Sequence, residues 1–247
     1  MSAASTEAQR TFKYFWRELT WEQRRIIPGL ELSAIKAAFA DPGGKVEEVE
    51  HMWLGDVTFD GDVLEGTLLN RPNTVRSVRA GDRVPLARDR LEDWMYTMEG
   101  RVYGGHTIQV LRGRMTSEAR RDHDEAWGFD FGDPRAVALV PAWPGNASRD
   151  PDVEHPMSEN MSKPLAEQIA ENRDAFLRST DPSGLTMLHA MALGGSAGCV
   201  RVLLDEGADP VARTRSGKTP RMLAEQLGWS RVIELLAAAE RRAATDA

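Results

Sequence analysis

The chain has 247 residues, 41% hydrophobic and 28% charged, which suits one large or two ordinary soluble domains and allows a real core. Thirty-one Lys and Arg against 38 Asp and Glu give a formal charge of −7, and both halves of the chain are mildly acidic. A nonspecific electrostatic grip on nucleic acid or anionic lipid is therefore not expected. A single cysteine, Cys199, can neither close a disulfide within the chain nor build a thiolate zinc site, which fits a reducing compartment. With no apolar run of roughly 18 residues and no signal-like start, the expectation is a soluble cytoplasmic protein without a membrane span.

Seventeen aromatic residues divide the chain unevenly: all but Phe176 and Trp229 precede residue 151. Two modules with different cores follow. The reading is an α+β domain over 1–140, mostly antiparallel sheet with flanking helices, then a Pro-rich linker over 141–160 and a short all-α stack over 161–247. Pro141, Pro144, Pro151 and Pro156 mark the linker, because proline interrupts both helix and central strand.

In chain order, Ala8, Phe12, Phe15, Trp16 and Leu19 form one apolar stripe at helical spacing. Leu32, Ile35 and Phe39 suggest a second, short helix stopped by Asp41-Pro42-Gly43-Gly44. The period then becomes two. Val49, His51, Trp53, Val57 and Phe59 alternate up to the turn Asp60-Gly61-Asp62, so a hairpin with a return strand from Val63 to Asn70 is expected, His51 facing inward with Trp53. Further strands are expected at Val84–Leu86, Leu91–Met98 and His106–Leu111, with Glu99-Gly100 and Gly104-Gly105 as turns.

The last third repeats. Gly184 to Gly217 and Thr186 to Thr219 are each 33 residues apart, and Asp-Pro-Ser-Gly-Leu-Thr (181–186) aligns with Thr-Arg-Ser-Gly-Lys-Thr (214–219). The period and pattern identify ankyrin repeats, here 181–213 and 214–239, preceded by a capping helix at 162–178. Thr219 caps a helix that Pro220 begins, and Gly207 ends another. The imidazole of His189 is expected to bond the turn region and Cys199 to be a small buried hydrophobe.

Catalytic signatures are lacking: the sequence has no GxSxG, GxxxxGK[ST], HExxH or GxGxxG. His51, His106 and His123 are dispersed. Asp122, Asp124 and Glu125 around His123 read as a solvated charged loop, and no cofactor or metal is expected. The densest polar chemistry is Glu50-His51-Met52-Trp53, Asp93-Trp94-Met95-Tyr96 and Tyr103-Gly104-Gly105-His106-Thr107. Its bland reading is core tryptophans with Asp93 satisfying a turn. The sharper reading is a pocket in which His51, Trp53, Asp93, Trp94 and His106 surround a small ligand that Gly104 and Gly105 let approach closely.

These same segments, with Phe15-Trp16-Arg17-Glu18-Leu19, Gly66-Thr-Leu-Leu-Asn-Arg-Pro72 and Gly81-Asp-Arg-Val84, resemble the bacterial domain-of-unknown-function 2314 family over most of residues 5–135. That family also occurs fused to ankyrin repeats, and Glu154-His155-Pro156-Met157-Ser158 looks like the join. The resemblance implies domain limits and a bacterial origin and carries no catalytic residues, because the family has no established activity. The functional expectation is a protein-binding protein, with Arg213, Arg215 and Lys218 at the hairpin tip between repeats as the partner contact; an immunity or antitoxin role is its sharpest form.

Overall fold

The computed structural model describes residues 1–43 and 49–245, in two compact units that divide after Pro151. Gly44, part of the expected helix stop, lies outside the described residues.

The first unit is a six-stranded antiparallel sheet with helices, in strand order β4 (Arg83–Ala87), β3 (Val63–Leu68), β2 (Glu50–Phe59), β1 (Leu32–Phe39), β5 (Leu91–Met98), β6 (Arg101–Gly104). Helix α1 (Ser2–Glu22) forms as its stripe requires: Ala8, Phe12, Phe15, Trp16 and Leu19 are all buried. Leu32–Phe39 is a strand, β1, and not the expected helix. Leu32, Ile35 and Phe39 mimic helical spacing, but the buried set includes Ile35, Ala37 and Phe39, a period of two partly carried by a small residue. Strand β1 is central, paired with β2 (Glu50–Phe59) and with β5 (Leu91–Met98).

The hairpin from β2 to β3 (Val63–Leu68) is present, but its alternation inverts midway. Met52 and Leu54 are buried at its start and Val57 and Phe59 at its end. Between Gly55 and Thr58, three steps along β2 oppose two along β3, from Thr67 to Glu65, and Asp56 takes the left-handed φ of 48°. This bulge flips the side-chain parity. Edge strand β4 (Arg83–Ala87) carries Pro85, which blunts that edge against further pairing. Strand β6 (Arg101–Gly104) was outside the expected strands; its Val102 and Gly104 amides donate to the carbonyls of Asp130 and Ala138.

Residues 106–112 are helix α2 (His106–Arg112), correcting the expected strand. Residues 122–125 around His123, expected as a charged loop, lie within α3 (Ser117–Trp127), capped by the Thr116 hydroxyl and stopped by Gly128 at φ 71°. None of its residues is buried, so there was no apolar stripe to read.

The second unit is all helical. The expected capping helix at 162–178 is two helices, α4 (Pro156–Glu171) and α5 (Arg173–Arg178). Because the first unit runs to Pro151, with turns around the buried Asn146, and α4 starts at Pro156 with His155 as its cap, the connection is shorter than the 141–160 expected. The two repeats give α6 (Met187–Leu193), α7 (Ala197–Asp205), α8 (Pro220–Leu227) and α9 (Ser230–Thr245). Helix α4 packs on α7 and α7 on α9, while α6 packs on α8. Thr219 caps its helix as expected, and Thr186 caps α6 in the same way.

Candidate functional site

The sheet splits the seven candidate ligand residues. Cross-strand pairing puts Leu54, Ile35 and Trp94 on one face, and Trp53, Lys36 and Asp93 on the other. The first face is covered by α1: Trp94 Nε1 donates to the Ala8 carbonyl at 2.9 Å, and its ring lies 5.9 Å from that of Phe15. The ring of His106 is on this side, edge-on to Trp94 at 5.6 Å, with Nε2 2.9 Å from the Thr11 hydroxyl. That hydroxyl donates to the Glu7 carbonyl at 2.7 Å, so it accepts from His106, which fixes the Nε2–H tautomer.

His51 is on the opposite face, paired across from Ala38, and its side chain is 53% exposed with Nδ1 2.6 Å from Glu92. Trp53 is only half-buried, against the cluster of Met95, Val102, Ile108 and Phe131. The expectation that His51 faces inward with Trp53 is therefore corrected. The bulge at Asp56 lets Val57 and Phe59 share a phase with His51 and Trp53 in sequence while standing on the other face. One pocket holding His51 and His106 together does not form.

What the fold does bring together is Asp93, Trp94, Gly104, Gly105 and His106. Both oxygens of the buried Asp93 carboxylate are in use. Oδ1 accepts from the amides of Trp94 and His106 at 2.9 Å each, and Oδ2 accepts from the amide and hydroxyl of Thr107 at 2.7 and 2.6 Å. Asp93 thus caps the first turn of α2 from a neighbouring strand, where exposed N–H groups need acceptors. The helix is set by a residue 13 positions away, which is why local pattern misreads it. Burial pushes the Asp93 carboxyl up, against the lowering effect of Thr107 and the His106 charge. Burial likewise holds the His106 imidazole below its ordinary 6.5, against the pull of Asp93 and Glu7.

The two glycines serve this packing. Gly104 has φ 76°, and a Cβ there would stand 2.3 Å from the Trp94 carbonyl oxygen and 2.5 Å from its indole. The close approach that glycine allows is to Trp94. Gly105, at φ 69°, is the left-handed residue from which α2 departs.

A second buried polar group has no motif in the sequence. The Arg112 guanidinium, 2% exposed, forks onto Asp124 at 2.8 and 2.5 Å and reaches Gln109 and the Gly132 carbonyl. Burial opposes charge on Asp124, but Arg112 and His123 outweigh it and hold its carboxyl below the ordinary value. Only a basic residue on α2 and an acidic one on α3 signal it in sequence. Among the described residues, no three His, Cys, Asp or Glu side chains stand close enough to share a metal ion.

In the second unit His189 bonds as expected. Its Nε2 lies 3.1 Å from the Ala212 carbonyl and 3.2 Å from that of Lys218, while Nδ1 faces the Thr186 hydroxyl at 2.8 Å. Carbonyls only accept, so Nε2 carries the proton and one repeat is tied to the hairpin of the next. Cys199 is buried. At the hairpin itself, Arg213 is exposed and donates to the Gly217 carbonyl at 2.6 Å, Lys218 reaches Gln226 at 2.7 Å, and Arg215 is exposed.

The family described as "Uncharacterized protein conserved in bacteria (DUF2314)" matches residues 1–131. The chain belongs to this family. Beyond its 2314 domain, "Ankyrin repeats (3 copies)" match residues 157–245, so α4 and α5 lie within the repeat array and are more than a cap. A Neisseria meningitidis serogroup B protein named for ankyrin repeats is 42% identical over 236 residues, covering 96% of this chain and 92% of that protein. The Uncharacterized protein YegJ of Escherichia coli K12 is 37% identical over 78 residues, 32% of this chain and 48% of YegJ. The mouse Protein phosphatase 1 regulatory subunit 27 is 37% identical over 76 residues, 30% of this chain and 49% of that subunit. Ankyrin repeats are protein-interaction units, and no helix among the described residues is long and apolar enough to cross a membrane.

Proposed function

We propose that this is a bacterial cytoplasmic binding protein whose repeats engage a protein partner through the hairpin of Arg213, Arg215 and Lys218. The observation that carries the reading is the rigid seating of that hairpin: His189 grips the Ala212 and Lys218 carbonyls on either side of it, while Arg213 and Arg215 remain exposed. A basic tip on an acidic unit complements an acidic partner surface and speeds encounter more than it deepens affinity. The specific role we favour is to block an effector, as an immunity or antitoxin protein does. A small acidic aromatic-rich domain without a catalytic signature supports it. The alternative, a small-ligand or enzymatic pocket in the 2314 domain, has less support, since both Asp93 oxygens and the His106 Nε2 are occupied by neighbours within the fold.

The test is capture of bacterial cytosolic protein on the full chain and on its Arg215→Glu variant at low ionic strength. Arg215 suits this better than Arg213, whose guanidinium also braces the Gly217 carbonyl. A protein retained by the wild type and depleted by the variant is expected; identical capture removes the tip from the interface.

A further inference from the structure

The first unit, acidic overall, carries a basic segment after β3. Between β3 and β4 the chain runs Asn70-Arg-Pro-Asn-Thr-Val-Arg-Ser-Val-Arg-Ala-Gly-Asp-Arg83, four arginines against Asp82 alone. Arg71, Arg76 and Arg79 are exposed. Arg83 instead braces the β2 bulge, donating to the Asp56 carbonyl and the Thr58 hydroxyl at 2.5 Å each.

This loop is held by two carboxylates at the solvent surface. Glu50 accepts from the amides of Asn73, Thr74 and Val75 and from the Thr74 hydroxyl. Asp41 accepts from the amides of Arg76 and Ser77 at 2.9 and 2.8 Å. Five successive backbone N–H groups therefore point at fixed acceptors, and Val75 is buried between them. The hydrogen bonds from Asn73, Val75 and Thr74 hold the Glu50 carboxyl at about 2. A loop so fixed presents its arginines with little ordering left to lose on binding.

We infer that the 71–79 loop is a second docking surface, on the 2314 domain itself, for an acidic polypeptide segment. It goes beyond the reading of the ankyrin hairpin and does not depend on it. The chemistry favours polypeptide over nucleic acid. Residues 70–83 hold no aromatic ring for bases to stack on. Three exposed guanidinium groups on a chain of net charge −7 also fall short of the roughly 6–10 phosphate contacts typical of electrostatic nucleic-acid binding.

The experiment measures binding of a fluorescent polyglutamate peptide to the full chain at low ionic strength, with an oligothymidylate in a parallel titration. Arg71→Glu/Arg76→Glu/Arg79→Glu should weaken peptide binding by more than about tenfold with an unchanged melting temperature, since none of the three is buried. Arg215→Glu should retain most of it, which separates this surface from the ankyrin hairpin. The decisive variant is Glu50→Gln. It makes the chain less acidic, so charge alone would strengthen binding, whereas Gln keeps one acceptor oxygen and turns an NH2 toward the Asn73 amide that the other oxygen served, which should loosen the loop and weaken binding. Stronger binding by Glu50→Gln, indifference to the triple reversal, or preference for oligothymidylate over polyglutamate would each overturn the proposal.

Discussion

Asp93 on β5 accepts both the backbone N–H and the hydroxyl of Thr107 on α2, at 2.7 and 2.6 Å. With the amides of Trp94 and His106 on its other oxygen, the carboxylate seats a helix against the sheet. The densest constellation of polar and aromatic residues in the sequence is thereby put to architectural use.

The same reasoning covers Gly104. An added Cβ would collide with the Trp94 carbonyl and indole, and φ 76° is strained for any other residue. Gly104→Ala should destabilise the first unit by about 3 kcal/mol, the sum of overpacking and left-handed strain. Chemical denaturation checks it; a loss below roughly 1 kcal/mol would mean that Trp94 and β6 shift apart easily.

Thr97 is the converse case. Its hydroxyl is fully buried, opposite Leu32 and Val102, with no partner among the described residues. Thr97→Val keeps the shape and removes an unsatisfied group, so it should stabilise the unit by about 1 kcal/mol. A destabilised variant would mean that the hydroxyl is hydrogen-bonded after all.

How far the sequence leads depends on whether a signal is local. The α1 stripe and the 33-residue repeat with its threonine caps lie within a few turns of chain and translate directly into structure. Thr107, Ile108 and Val110 give residues 106–111 a strand-like composition, and only the distant Asp93 makes them helical. The His51–Trp53 phase looks continuous with Val57–Phe59 because a one-residue bulge leaves no mark on composition, save a glycine at 55 beside the left-handed Asp56. Small residues mislead similarly: Ala37 carries the inward phase of β1 and is nearly silent in a search for large apolar side chains.

His189 gives the second unit a pH dependence of definite sign. Burial holds its imidazole below the ordinary 6.5, against the raising effect of the Lys218 and Ala212 carbonyls. The unfolded chain therefore takes up a proton that the folded chain resists, so this contribution is complete above about pH 6.5 and declines as the pH falls from there toward the folded value. His106 acts in the same direction in the first unit. Thermal melting between pH 8 and 5 should show flat stability, then a decline, with both imidazoles titrating below 6.5 by NMR. Titration of His189 above 6.5 would contradict the burial argument.

The most direct measurement is the Asp93→Asn variant, followed by melting temperature and partner capture together. An amide can replace one oxygen, but its NH2 meets the donors of Thr107, so the loss should be about 3 kcal/mol, or roughly 6–12 °C for a domain of this size. The structural role assigned to Asp93 predicts that lower melting temperature, with capture by the folded protein intact. Unchanged melting with lost binding would contradict it and return Asp93 to a ligand site.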